Sequence, residues 1–178
     1  MNTNYIRNHV TSEGRTVNIN DWYFAHPSIA IERGDLFVGF ASVSIAQAGT
    51  AYIQLKTPAD KDIYLIGYGI VTDSVRVTEQ IVENPTITDG TTALTMINMN
   101  RQSGASFTGT IYTDPTSISG GTVIDKIESY EAKKTSGAPA SAEFPRLKFK
   151  RSEDYVLSLT NGDNNTKTVF VKFYMIEV

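Results

Sequence analysis

The sequence predicts an all-β fold: a single jelly-roll-like antiparallel β-sandwich preceded by an extended N-terminal arm. Three observations support this prediction. Short runs alternate apolar and polar residues with a period of two, which is the spacing of side chains along a strand. Clusters of Gly, Pro, Asn, Asp and Ser separate these runs, as expected for turns. No long segment shows the 3.6-residue period of an amphipathic helix.

The clearest alternation lies in residues 154–178, where two runs flank the turn-forming sequence NGDNN. In the first run, Tyr155, Leu157 and Leu159 share one face. In the second run, one face carries Val169, Val171, Phe173 and Met175, and the opposite face carries Thr168, Phe170, Lys172 and Tyr174. This pattern predicts a β-hairpin that closes a sheet.

The other predicted strands follow one another at nearly regular spacing. They cover residues 36–45, 51–56, 63–71, 75–82, 91–99, 107–112 and 122–132. The last of these also allows a helix, with Val123, Ile127 and Tyr130 on one side. We favour a strand, because β-branched residues dominate its first half.

Length and composition restrict the class of protein. A chain of 178 residues fits one domain, which we divide into an arm over residues 1–20 and a β-sandwich over residues 21–178. There is no cysteine, so disulfides and thiolate metal sites are excluded. The net charge of −3 argues against a nucleic-acid partner. No apolar run is long enough to span a membrane, and the first residues lack the apolar core of a secretory signal.

The sequence predicts no catalytic residues, no metal site and no cofactor. His9 and His26 are the only histidines, and their surroundings do not suggest a ligand pair. A triad of His26, Ser28 and Asp21 lacks any G-x-S-x-G context, so these residues are interpreted as ordinary turn residues. Calcium is a minor alternative, because acidic residues occupy four predicted turns without the spacing of a calcium loop: Asp60, Asp62, Asp89 and Asp163.

Aromatic and apolar residues near the N-terminus are candidates for an interface. The arm contains Tyr5, Ile6 and Val10, and it either docks on a neighbouring subunit or is partly disordered. Trp22 and Tyr23 belong to an aromatic cluster with Phe24. The cluster caps the sandwich core, contributes to a subunit interface or forms a platform on which a sugar stacks.

Several fragments resemble, in order and spacing, a family of small virion structural proteins of tailed bacteriophages. These fragments are residues 57–61 (TPADK), 98–103 (NMNRQS), 112–116 (YTDPT) with 120–122 (GGT), 155–161 (YVLSLTN) and 173–177 (FYMIE). Within the second fragment, Arg101 is interpreted as a donor that ties its own loop together, or alternatively as a contact to an acidic patch on a partner.

The resemblance implies a capsid decoration (cement) protein with no enzymatic activity. Such a protein lies on the outer surface of the phage head, binds the major capsid protein, bridges capsomers and forms a homo-oligomer, for which we favour a trimer over a dimer. The alternative is a carbohydrate-binding or receptor-binding module of a phage tail or appendage that uses Trp22 and Tyr23. The candidate interface residues are Tyr5, Ile6, Val10, Trp22, Tyr23 and Arg101.

Overall fold

The computed structural model describes residues 8–10, 16–18, 27–72, 76–130 and 147–178. Within these residues lie one short helix, α1 (Pro27–Arg33), and fifteen strands. The strands are β1 (Asn8–Val10), β2 (Thr16–Asn18), β3 (Leu36–Ile45), β4 (Thr50–Lys56), β5 (Ile63–Thr72), β6 (Arg76–Glu83), β7 (Thr86–Thr88), β8 (Ala93–Leu94), β9 (Ile97–Asn98), β10 (Thr110–Tyr112), β11 (Thr116–Ser119), β12 (Thr122–Tyr130), β13 (Leu147–Lys148), β14 (Asp154–Asn161) and β15 (Lys167–Glu177).

Two antiparallel sheets pack face to face around one apolar core. The six-stranded sheet has the order β12-β6-β14-β4-β10-β8, and the five-stranded sheet has the order β13-β5-β15-β3-β9. Inward side chains of both sheets form a single buried cluster, to which β3, β4, β5, β6, β14 and β15 all contribute. The prediction of an all-β antiparallel sandwich is therefore confirmed, while the jelly-roll topology stays a prediction.

The last two strands lie in different sheets, so the predicted closing hairpin is wrong. Strand β14 pairs with β4 and β6, whereas β15 pairs with β3 and β5. The predicted apolar faces do exist, because Leu157 and Leu159 of β14 and Val171 of β15 are buried in the same core. Two strands that face each other across the core bury both apolar faces, whereas a hairpin would need a second layer to cover them.

Asn161 holds the chain at the point where it leaves one sheet for the other. The residue is only 1% exposed. Its side-chain Nδ2 donates hydrogen bonds to the carbonyl oxygens of Ile45 (3.3 Å), Ala46 (3.2 Å) and Asn165 (2.8 Å). Its Oδ1 accepts a hydrogen bond of 2.9 Å from the backbone N–H of Asp163. One buried amide thus fixes the crossing turn and ties it to the end of β3.

Most predicted strands occur within one or two residues of the predicted bounds. Residues 36–45 match β3 at both ends, and residues 122–130 form strand β12 rather than a helix. The predicted strand over residues 91–99 is instead two short strands, β8 and β9, which belong to different sheets. In the same way, only the end of the run over residues 107–112 pairs, as β10.

Helix α1 is a feature that the periodicity did not reveal, because seven residues are too few to show a helical period. Its boundaries nevertheless follow local rules. Pro27 occupies the first turn, where a missing N–H costs nothing. At the other end Gly34 has φ 77° and donates to the carbonyl of Ile31 (2.9 Å), while Asp35 donates to that of Ala30 (2.9 Å). This pair of bonds is a Schellman cap.

The N-terminal arm is not a single extended segment in its described part. Strands β1 and β2 pair antiparallel, with Asn8 opposite Asn18 and Val10 opposite Thr16. The two strands therefore run in opposite directions. This arrangement shortens the distance that the arm can span compared with a fully extended chain.

We expect Asn161→Ala to lower the free energy of unfolding by about 1–3 kcal/mol, because it removes the hydrogen bonds that a buried amide makes with three carbonyl oxygens and one N–H. Urea denaturation followed by circular dichroism measures this loss. The exposed neighbour Asn164 provides the control, and Asn164→Ala should change stability by less than about 0.5 kcal/mol. Equal effects of the two substitutions would contradict the anchoring role of Asn161.

Candidate interaction surfaces

For five of the six predicted interface residues, the structure describes no side chain. Tyr5, Ile6, Trp22 and Tyr23 lie outside the described residues, and Val10 is described only as the backbone of β1. Their assignment to an interface therefore stays a prediction. The sixth residue, Arg101, lies in a well-defined loop between β9 and β10.

The loop over residues 98–105, named here the 98–105 loop, is held to the sandwich by Asn98. Asn98 is buried, and its Nδ2 donates to the carbonyl oxygens of Gly34 (2.7 Å) and Ala105 (3.2 Å). Its Oδ1 accepts from the backbone N–H of Asn100 at 2.9 Å. Asn98 therefore joins both ends of the loop to the turn that follows α1.

Asn100 supplies the second anchor of the 98–105 loop. Its Nδ2 donates to the carbonyl oxygen of Glu32 in α1 at 2.9 Å, and its Oδ1 accepts from the N–H of Gln102 at 3.0 Å. Arg101, between these contacts, is exposed, and its side chain makes no hydrogen bond or ion pair with any described residue. The asparagines, rather than Arg101, tie the loop together, and Arg101 is exposed to solvent.

A second set of polar side chains fixes residues 89–92, which lie on the outer side of the six-stranded sheet. Gln54 of β4 is fully buried there, and its Nε2 donates to Asp89 (2.8 Å) and Asp154 (3.0 Å). Lys56 forms an ion pair with Asp89 (Nζ to Oδ2, 2.5 Å). The hydrogen bonds from Lys56 and Gln54 lower the pKa of the Asp89 carboxyl.

Asp114 closes the same segment. Its Oδ1 accepts from the N–H groups of Thr91 and Thr92 (both 2.9 Å), and its Oδ2 accepts from the two hydroxyls (2.8 and 2.9 Å). These hydrogen bonds lower the pKa of Asp114 from 3.8 to about 2, and the bond from the N–H of Thr92 has the largest effect. The carboxylate therefore needs its charge to hold the turn before β8.

Charged groups also fix the segment between β13 and β14. Glu83 accepts hydrogen bonds from Lys150 Nζ (2.6 Å) and from the Tyr155 hydroxyl (2.9 Å). The contact with Lys150 is the main cause of the lowered pKa of the Glu83 carboxyl. Burial is the main cause that raises the pKa of Tyr155 to about 12. The phenol thus stays protonated and can donate to Glu83 at any physiological pH.

The outer side of the five-stranded sheet carries an apolar outer face, defined here as Phe40, Val71 and Phe170. These side chains are 54%, 62% and 55% exposed, respectively. Val71 and Phe170 are direct neighbours across β5 and β15, and Phe40 pairs with Lys172, two residues further along β15. Neighbouring large apolar side chains that are more than half exposed make this face a candidate interaction surface.

The interface prediction did not include these three residues. The alternation of the sequence places Phe170 on the opposite side of its strand from the core residues, between Thr168 and Lys172. A large apolar side chain at a position that alternation assigns to solvent is the sequence signal that identifies such a face. Val71 and Phe40 give the same signal only once their strand neighbours are known.

Buried ionisable groups lie between the sheets as well. The hydroxyl of Tyr68 is hydrogen-bonded to Glu79, and both residues are buried. Burial, followed by the charge of Glu79, raises the pKa of Tyr68. Asp125 of β12 lies near this pair, and its Oδ2 is buried without a hydrogen-bond partner.

The turn carboxylates considered for calcium do not converge. Asp62 contacts Lys148 and Arg151, Asp89 contacts Lys56, and Asp163 contacts Lys167. Among the described residues, no group of three or more His, Asp or Glu side chains is arranged to hold a metal ion. Of the triad considered from sequence, Ser28 lies in α1, and His26 and Asp21 fall outside the described part of the chain.

A small cavity lies in the core between the two sheets. Its volume is about 30 Å³, and its walls include Tyr68, Phe173 and Met175. This is room for a water molecule or two, but a predominantly apolar lining offers them few hydrogen-bond partners. The cavity is a packing defect of the core and is too small for a sugar.

Protonation of Asp114 should loosen its turn at low pH. The folded pKa is depressed, so the stabilisation is complete above pH 3.8 and is lost as pH falls toward about 2. We expect the stability difference between the native protein and Asp114→Asn to be constant from pH 7 to 5 and to shrink below about pH 4. Urea denaturation at each pH measures it, and a difference that is unchanged at pH 2.5 would contradict the assignment.

Comparisons with family models, with curated proteins and with solved structures found no match to this chain. The resemblance to phage virion proteins therefore depends on the fragments themselves. Among the described residues, no helix has the length and apolar character needed to cross a membrane.

Proposed function

We propose that this protein is a non-enzymatic structural protein of a phage virion, a capsid decoration protein that binds the major capsid protein on the outer surface of the head as a homo-oligomer, with a trimer favoured. The observation that carries the proposal is that the fragments resembling this family include loops fixed by side-chain hydrogen bonds. The fragments that are fixed by such hydrogen bonds are residues 57–61, 98–103 and 112–116.

The first of these fragments is held in the same way as the other two. The hydroxyl of Thr57 donates to the carbonyl oxygen of Lys150 at 2.7 Å. It also accepts from the N–H of Glu153 at 2.9 Å, and the N–H of Thr57 donates to the carbonyl of Glu153 at 3.0 Å. The start of the 57–61 fragment is thus tied to the segment that precedes β14.

Fixed loops suit a protein whose role is to bind an assembled lattice. A loop that is already ordered loses little conformational entropy on binding, so more of the contact energy appears as affinity. A protein that binds the assembled shell but not its separate subunits shifts the equilibrium toward the shell by mass action. Such a function needs rigid surfaces and does not need a catalytic cleft.

Arg101 is the residue best placed to contact such a partner. The 98–105 loop is anchored at Asn98 and Asn100, and the guanidinium between them is exposed. Arginine is enriched among residues that dominate binding energy, because its planar fork of donors matches carboxylates and its stem covers apolar surface. In this proposal Arg101 contacts an acidic patch of the capsid protein.

The proposal is tested with expanded, undecorated phage heads and the purified protein. Native protein should co-sediment with the heads and raise the temperature at which they disassemble. We expect Arg101→Ala to weaken this binding about tenfold or more, which corresponds to a loss of at least ~1.4 kcal/mol. Arg101→Lys should restore only part of it, because lysine keeps the charge and loses the fork.

Gln102→Ala is the matched control, since Gln102 is an exposed neighbour whose backbone, rather than side chain, contacts Asn100. It should bind heads as the native protein does. Both variants should keep the native melting temperature, because surface substitutions change stability by less than about 0.5 kcal/mol. Native protein that neither binds nor stabilises heads would refute the proposed function. Full binding by Arg101→Ala would refute the role of Arg101 alone.

A further inference from the structure

We propose that Asn161 is a site of spontaneous deamidation that the folded structure closes. Its side-chain amide is converted to a carboxyl only when the end of β14 detaches from the sandwich, and the conversion then opposes closure of the same contact. This inference goes beyond the proposed function and does not depend on it. It gives the buried anchor of the crossing turn a second, chemical role.

The sequence signal for this reaction is the residue that follows. Asn161 and Gly162 form the only Asn-Gly pair of the chain. Glycine has no Cβ to hinder attack by its own backbone nitrogen, and its backbone adopts conformations that other residues avoid. Among the asparagines of this sequence, Asn161 is therefore the one whose neighbour hinders the reaction least.

The reaction needs no reagent other than water. The backbone nitrogen of Gly162 attacks Cγ of Asn161, and the new C–N bond closes a cyclic imide. The Cγ–Nδ2 bond breaks, and Nδ2 leaves as ammonia with the proton that the Gly162 nitrogen has lost. Water then opens the imide at one of its two carbonyl carbons, which yields aspartate or isoaspartate. No electron transfer takes place.

In the folded protein the attacking group is already engaged. The N–H of Gly162 donates to the carbonyl oxygen of Arg76 at 2.9 Å, and the N–H of Asn161 donates to that of Gly49 at 2.9 Å. Asn161 is the last residue of β14 and lies opposite Val77 of β6. The backbone on both sides of the reacting pair is therefore fixed, and the rotation that ring closure requires would break these hydrogen bonds.

The leaving group is engaged as well. Nδ2 of Asn161 donates to the carbonyl oxygens of Ile45, Ala46 and Asn165, and the residue is 1% exposed. Departure of Nδ2 as ammonia would give up all three hydrogen bonds at a buried position, where no water replaces them. The reaction therefore requires that the turn opens first.

The products do not fit the closed site. Three of the four partners of the native side chain are carbonyl oxygens, which accept hydrogen bonds. A carboxylate also only accepts, so aspartate would place a charge among groups that cannot donate to it. Isoaspartate lengthens the main chain by one carbon between β14 and the turn. A chain that opens for long enough to react thus loses the contact that closes the crossing turn.

The inference is tested on the full-length protein at mildly alkaline pH, in buffer and in urea that unfolds it. Trypsin releases residues 152–167 as one peptide, which contains both Asn161 and Asn164. Mass spectrometry of this peptide locates the exchange of amide for carboxyl. We expect Asn161 to react at least about a hundredfold more slowly in the folded chain, because its rate is multiplied by the fraction of molecules that are open.

Asn164 is the matched internal control. It is exposed in the turn and is followed by Asn165 rather than by glycine. Its rate should be slow and should differ by no more than a few-fold between the folded and unfolded chains. Urea below the unfolding transition should raise the rate at Asn161 in parallel with the open fraction and leave the rate at Asn164 unchanged.

Two substitutions separate the chemistry from its consequence. Gly162→Ala should slow the reaction at Asn161 several-fold in the unfolded chain. A Cβ there would lie 3.0–3.1 Å from side-chain carbons of Arg76, which is exposed and can move. Asn161→Asp reproduces one product and should lower the folded-to-unfolded ratio at neutral pH about tenfold or more. Asn164→Asp should change this ratio by less than about threefold.

Each part of the inference can fail separately. Equal rates at Asn161 in the folded and unfolded chains would show that the fold does not close the site. An unfolded chain in which Asn161 reacts no faster than Asn164 would show that the pair is not a preferred site. Native stability of Asn161→Asp would show that the conversion does not oppose closure. None of these measurements uses phage heads, so failure here is distinguishable from failure of the proposed function.

Discussion

The last two strands of the chain occupy the centre of both sheets, and the rest of the sandwich depends on this placement. Strand β14 separates β4 from β6, and β15 separates β3 from β5. Without the final strands, the earlier ones have no partner that joins them into a sheet. The pairing is also remote in sequence, since Lys167 lies opposite Ile45. Contacts of such separation require the closure of long loops, which slows folding.

The buried polar side chains follow from this architecture. Because consecutive strands often change sheets, the chain must repeatedly cross the ends of the sandwich, where backbone groups lack a neighbouring strand. Asn161 and Asn98 supply hydrogen bonds at such places. Each is buried and joins segments that are distant in sequence. The interactions that give the loops their rigidity are therefore the same interactions that satisfy the backbone at the edges of the core.

Alternation in the sequence identified the strands and their inward faces, but it did not identify strand partners. Leu157 and Val171 were correctly assigned to apolar faces, yet the same pattern serves a hairpin and a pair that spans the core. The distinction depends on β4 and β6, whose residues opposite Leu157 are Ile53 and Ile81, 104 and 76 residues earlier. Similarly, the sequence singled out the loop of Arg101. Which side chains tie it together depends on carbonyl groups of Glu32 and Gly34, which no local pattern reveals.

The two outer sides of the sandwich are covered by different physical means. On the six-stranded sheet, residues 89–92 form the cover. They are attached by two charge-assisted hydrogen bonds of defined geometry, one from Lys56 to Asp89 and one from the N–H of Thr92 to Asp114. On the five-stranded sheet, α1 is attached by apolar contacts of Ala30 with Leu36 and Ile176, which have no directional requirement, and by one hydrogen bond from Asn100 to the carbonyl oxygen of Glu32. Phe40 and Phe170 stay more than half exposed on this side of the sheet. Among the described residues, the apolar cover that α1 provides therefore does not extend along the whole of β15.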